Sequence, residues 1–246
     1  MTGFLASVIS ATEADIVLAA GADIIDLKDP RVGALGALPS SAIRDAVRTI
    51  AGRRTVSATA GDLPMVPDRV TDAVARIADL GVDIVKVGLF RGGDWLACLD
   101  ALARQAAAGT RLVAVLFADQ APDIAVLKRL REAGFVGAML DTADKHGGGL
   151  RDHLADTALA DFVRRAAGNG LMSGLAGSLK LTDIPPLLTI APDYLGFRGA
   201  LCHAGRTSTL APELVQTVRA AIGHHSSRAN IAVAAAGAQR AAHSLV

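Results

Sequence analysis

Short apolar runs rich in β-branched residues alternate along the chain with longer stretches of helical period. The runs begin at residues 4, 23, 55, 83, 111, 136, 171 and 194. Helical patterns follow over 12–20, after 39–41, over 68–80, 94–108, 123–133 and 156–169, after 182, and over 212–222. Apolar residues recurring every three or four positions mark a helix with one buried face, whereas brief continuous apolar runs mark buried strands. Gly21, Gly81 and Gly134 each follow a helical stretch and precede a run, the place where glycine ends a helix. Alternating units with continuously apolar strands predict a parallel sheet with both faces covered. Eight of them within residues 1–223 predict a single-domain (β/α)8 TIM barrel. A doubly wound open sheet is the alternative, but its strands are usually fewer and the first strand–helix turn here has no GxGxxG. The tail at 224–246 breaks the alternation, and its alanine-rich composition predicts a helix or a disordered segment.

Charge and cysteine content exclude several classes. Twenty-five Lys and Arg against 24 Asp and Glu leave a net charge of +1, which offers no electrostatic footprint for nucleic acid or an anionic membrane. Two cysteines, Cys98 and Cys202, cannot build a disulfide scaffold or a cysteine-cluster metal site. No apolar run reaches the ~18 residues of a membrane span. The N-terminus lacks the basic region of a secretory signal, so a cytoplasmic protein with a small-molecule substrate is expected. Apolar helix faces and the tail are compatible with a homo-oligomer.

Composition also singles out lysine. Only 5 of the 25 basic residues are Lys and 20 are Arg. Four of those five, Lys28, Lys86, Lys145 and Lys180, fall at or just beyond predicted strand ends, where barrel active sites lie. An amine, rather than a mere positive charge, is therefore wanted there. Strand side chains alternate between faces. Asp26 and Lys28 share the face of Ile24, Lys86 shares that of Ile84 and Gly88, Asp141 that of Met139, and Arg198 that of Gly196. These faces are expected to point into the barrel. A neutral lysine amine attacks a carbonyl to give an imine, which then acts as an electron sink. A second cation nearby, or burial, favours the neutral amine, and Lys86 or Lys145 is placed to supply that charge beside Lys28. Asp26 and Asp141 are candidates for proton transfer. A purely structural network of Lys–Asp pairs in the barrel core is the competing reading. Ser57 and Asp119 stand at further strand ends. At the last two strands, Gly177, Ser178, Arg198 and Gly199 offer bare amides and one guanidinium, a combination suited to phosphate. Together these features point to a phosphorylated carbonyl substrate. With an imine as electron sink, neither a metal nor a cofactor is expected.

The motifs resemble those of the (5-formylfuran-3-yl)methyl phosphate synthase family. They are ADIIDLKDP at 22–30, GALG at 33–36, VSATAGD at 56–62 and IVKVGL at 84–89, then AMLDTA at 138–143, DHL at 152–154, AGSLK at 176–180 and GFRGALC at 196–202. The likeness spans about 4–222 and is thinner around the fifth strand, where Asp119 is kept. It implies a TIM barrel and a carbon–oxygen lyase that joins two glyceraldehyde 3-phosphate molecules, with loss of phosphate and water, in methanofuran-type cofactor biosynthesis. The family's Schiff-base lysine falls on Lys28 and its partner aspartate on Asp26. Its further lysines and aspartate fall on Lys86, Lys145 and Asp141. A lysine-dependent triose-phosphate aldolase would share this site, as would a non-catalytic barrel that binds a phosphorylated metabolite.

Overall fold

In the computed structural model the described residues are 1–144 and 146–223; Lys145 and the 224–246 tail lie outside them. The chain runs β1 (Gly3–Val8), α1 (Ala11–Ala19), β2 (Ile24–Leu27), α2 (Ser40–Ile50), β3 (Thr55–Thr59) and α3 (Pro67–Ala78). It continues through β4 (Ile84–Gly88), α4 (Trp95–Ala107), β5 (Leu112–Phe117), α5 (Val126–Glu132) and β6 (Gly137–Asp141). A single turn, α6 (Leu150–His153), precedes α7 (Asp156–Gly168), β7 (Met172–Leu175), α8 (Ile184–Ile190), β8 (Tyr194–Phe197) and α9 (Pro212–Ile222). Every strand pairs in parallel with its sequence neighbours, and β1 pairs with β8 to close the barrel. Closure excludes the open sheet and leaves no unpaired strand edge. The expected glycine ends are present, with φ of +79° at Gly21 and +85° at Gly81. The short α6 has no counterpart in the helical periods of the sequence, because four residues are too few to show one.

Strand alternation divides the apolar residues into two cores. Outward side chains such as Ile25, Leu27, Val85, Val87, Ala114 and Leu140 pack with the helices. Inward ones, including Leu5, Ile24, Ile84, Val113, Val115 and Met139, fill the barrel with Tyr194. Each fully buried aliphatic side chain contributes about 1.5–3 kcal/mol, so both layers hold the strand ends that carry polar groups. Ser10 starts α1 by accepting the Glu13 N–H, and Asp94 caps α4 by accepting the Ala97 N–H. No helix among the described residues is long and apolar enough to cross a membrane.

Candidate active site

Register brings the polar residues of neighbouring strands together. Ser7 of β1 lies beside Asp26 of β2, which lies beside Ser57 of β3. Adjacent strands are about 4.8 Å apart, so both hydroxyls reach the same carboxylate. Ser57 Oγ donates to Asp26 Oδ1 at 2.6 Å and Ser7 Oγ to Oδ2 at 3.0 Å. Lys86 comes from β4 and places Nζ 3.0 Å from Asp26 Oδ2. Asp26 is fully buried. Burial would raise its carboxyl, but the Lys86 and Lys28 ammonium groups, with the Ser57 hydrogen bond, hold it below the ordinary carboxylate value. For Lys86 the balance falls the other way. Burial pushes its ammonium down, and nearby Lys28 adds to that, more than Asp26 restores.

Above this cluster lies a second pair. Lys28 Nζ stands 3.5 Å from Asp141 Oδ2, and Asp141 Oδ1 accepts the Thr142 N–H at 2.8 Å. Lys28, Lys86 and Asp141 line a cavity of about 480 Å³ at the C-terminal mouth of the barrel, a size suited to small molecules. Asp26 is not on its wall: it holds Lys86 from below. Ser57 likewise faces Asp26 and is a support for the carboxylate rather than a contact for substrate.

The wall over β7 and β8 includes Ala176, Gly177, Ser178, Leu179, Lys180, Arg198, Gly199 and Ala200. Gly177 and Ser178 take successive positive φ angles of +107° and +48°. Positive φ is uncommon for serine, and such backbone concentrates at functional sites. The N–H groups of Gly177, Ser178 and Leu179 have no acceptor among the described residues, so this loop retains its donors for an anion.

Two expected ligands are engaged with the protein itself: Arg198, although on the cavity lining, and Asp119. Arg198 is buried, and all five of its N–H donors are engaged. Nε donates to Arg206 O, Nη1 to Ser7 O and Glu13 Oε2, and Nη2 to Glu13 Oε1 and Ser208 O. A guanidinium has five donors, so none is left for phosphate, and Arg198 ties the β8–α9 loop to the start of α1. Asp119 accepts the Ala143 and Asp144 N–H groups at 2.9 and 2.7 Å, which anchors the β6–α6 loop away from the cavity wall.

Sequence reasoning missed Glu13 and Arg206. Glu13 was visible in principle, because Ser10-x-x-Glu13 is a capping-box pattern, although its carboxylate accepts from Ile9 N–H and Leu210 N–H and pairs with Arg198. Arg206, on the β8–α9 loop, had no signal among twenty arginines. It lines the cavity, and its Nη2 donates to Gly33 O at 2.9 Å. The Gly33 loop is itself pinned by Asp62, which accepts the Ala34 and Leu35 N–H groups at 2.9 and 2.7 Å. A Cβ at Gly33 would stand 2.1 Å from Asp62 Oδ2, and φ there is +122°, so only glycine fits.

Residues 4–219 match the family model described as 4-HFC-P synthase. A protein of Methylorubrum extorquens named "Putative (5-formylfuran-3-yl)methyl phosphate synthase" is 48% identical over 202 residues, 81% of this chain and 82% of that one. The (5-formylfuran-3-yl)methyl phosphate synthase of Methanocaldococcus jannaschii is 38% identical over 213 residues, 82% of this chain and 90% of its own. Among solved structures, phosphoribosyl anthranilate isomerase from Thermus thermophilus superposes with a TM-score of 0.63 at 13% identity, over 90% of this chain and 98% of that one. A 3-hexulose-6-phosphate synthase gives 0.57 at 18%, over 89% and 100%. At those identities the two structures share the barrel alone.

Proposed function

The chain belongs to the 4-HFC-P synthase family, and on that premise we propose that it condenses two molecules of glyceraldehyde 3-phosphate into (5-formylfuran-3-yl)methyl phosphate through an imine on Lys28. The observation that carries this reading is the pair of inward lysines on one cavity wall, each held by a different aspartate. Lys28 is the nucleophile. It meets the aldehyde carbon of the first triose phosphate and expels water as the imine forms. Lys86 rests as an ammonium paired with Asp26; burial and the Lys28 charge ease the loss of its proton, and the amine so formed takes the proton from the adjacent carbon. Asp26, out of reach of substrate, acts by holding Lys86 in place. The resulting enamine attacks the aldehyde of the second molecule. Asp141, on the wall beside Lys28, is placed to shuttle protons to the new hydroxyl.

Carbon counting then assigns the phosphates. The imine-bound unit supplies two ring carbons and the phosphorylated methylene. The second unit supplies the other two ring carbons and the formyl group, so its phosphate leaves. Water replaces the departing phosphate on the carbon that becomes the formyl group; with three waters released, one on imine formation and two from hydroxyls, the net loss is one phosphate and two waters, which gives the product composition with no external oxidant. Attack of a hydroxyl of the second unit on the imine carbon closes the ring, and the Lys28 amine leaves as the ring aromatises and the formyl C=O forms. The free amides of Gly177, Ser178 and Leu179, beside Gly199, suit the retained phosphate.

Incubation with glyceraldehyde 3-phosphate alone tests this. Phosphate release, a conjugated furan-aldehyde absorption band and a borohydride-trapped adduct on Lys28 are expected together. An adduct without the band would replace the synthase with a simple aldolase, and absence of all three would reduce the chain to a phosphometabolite-binding barrel.

A further inference from the structure

We infer that Arg206 forms a second phosphate subsite, separate from the β7 amide loop, at the edge of the cavity where the β8–α9 loop meets the β2–α2 loop. The inference rests on the two-phosphate reading above. Two triose phosphates bring two dianionic groups into one cavity, and the β7 loop can hold one. The sequence pattern offered Arg198 as the cation, but its five donors are taken. Arg206 differs in this respect. Among the described residues its guanidinium makes one hydrogen bond, from Nη2 to Gly33 O, which leaves Nε and Nη1 for a ligand. It is half-buried on the cavity wall. Burial pushes its pKa down, and among the carboxylates that oppose this Asp141 acts most strongly, ahead of Asp62 and Asp29. The guanidinium is therefore within electrostatic range of the Lys28–Asp141 pair while bonded to neither.

Position separates the two subsites. The Gly177 loop leans towards the end of β6 and α6, where Gly177 O accepts the Leu150 N–H. Arg206 reaches in the other direction around the barrel, across β8 and β1 to Gly33. Its backbone is held by Arg198, whose Nε donates to Arg206 O at 2.8 Å. Arg198 is thus a positioning residue and Arg206 the ligand. A guanidinium suits this place because parallel N–H donors match two phosphate oxygens. It also suits a leaving group, whose negative charge grows as the carbon–oxygen bond breaks. We therefore place the departing phosphate on Arg206.

Calorimetric titration with inorganic phosphate tests the subsite without relying on turnover. Wild type should bind two phosphates per chain. Arg206→Gln keeps an N–H for Gly33 O but lacks the charge, and should lose one site through about 10- to 100-fold weaker binding. Arg206→Lys should keep both sites, one of them weakened. Retention of both sites by Arg206→Gln with unchanged affinity would show that Arg206 merely latches two loops, and would overturn the proposal. So would a single wild-type site that the variant keeps. In turnover, Arg206→Gln should still form the Lys28 adduct while phosphate release drops, and an equal drop in both would overturn the assignment to the leaving phosphate. If no furan forms in wild type yet two phosphates bind and one depends on Arg206, the synthase reading fails and the subsite stands.

Discussion

Two lysine–aspartate pairs stand a few residues apart in this barrel and behave differently. Lys86 and Asp26 lie deeper, with side chains 2% and 0% exposed, a 3.0 Å contact and two serine hydroxyls on the carboxylate, and of the two only Lys86 meets the cavity. Lys28 and Asp141 are looser, at 3.5 Å, with Lys28 8% exposed and both on the cavity wall. The chemistry of the residues is the same, and the difference comes from depth. In the deeper pair the carboxylate is fixed by desolvation and neighbours, so it tunes and positions a lysine that itself meets the cavity. A pair at the mouth can exchange its partner for a substrate.

The sharpest test of this contrast removes the amine at the mouth. Lys28→Ala should lower turnover by about a thousandfold or more, as loss of a covalent nucleophile does, and abolish borohydride trapping. Trapping that moved to Lys86 with activity retained would reverse the roles of the two lysines.

Next in size is the deeper pair. Asp26→Asn leaves the Lys86 ammonium without a counter-charge, and urea denaturation should show a loss of about 3 kcal/mol or more. The double variant Asp26→Leu with Lys86→Met should recover most of that stability, because a buried ion pair is rarely worth more than well-packed apolar groups. Turnover should stay low in both. Full turnover in the double variant would refute the assignment of Lys86 as the base.

A smaller effect is expected at Ser57. Removing its hydroxyl takes a 2.6 Å hydrogen bond from Asp26, and Ser57→Ala should cost about 1.5–3 kcal/mol, as hydrogen bonds to charged groups do. If Ser57 touched substrate instead, KM would rise with stability unchanged.

The smallest effect is in the pH profile. Asp26 sits below its ordinary value of 3.8 in the fold. Its contribution to stability is complete above that value and is lost as the pH falls through the depressed one. Lys86, pushed below 10.5, gives a slope of the same sign in a more alkaline window. Between its lowered value and 10.5 the unfolded chain binds more protons, so stability from this group rises with pH. Urea midpoints across pH should therefore show an acid step in wild type that Asp26→Asn lacks.

Most of the barrel was legible because its signals are local. Strand period two placed Asp26, Lys28, Lys86 and Asp141 on inward faces, and the two cores divide along that alternation. The site was legible only in part. Arg198 and Arg206 lie eight residues apart, and nothing near them in sequence separates a saturated guanidinium from an available one. Saturation came from Glu13 and from the Ser7 carbonyl, contacts spanning 185 and 191 residues. Asp119 met its partners 24 and 25 residues downstream.

By itself, then, the sequence determined the eight strand-then-helix units, the inward faces and the placement of rare lysines at strand ends, because periodicity, glycine ends and residue choice are properties of short stretches. Only the tertiary structure decided which lysine lies deeper and which nearer the mouth, that Asp26 serves Lys86 rather than the cavity, and that Arg206 rather than Arg198 has donors to spare. The physical reason is that burial and hydrogen-bond saturation depend on what the closed barrel brings next to each group, and those neighbours come from distant strands and loops.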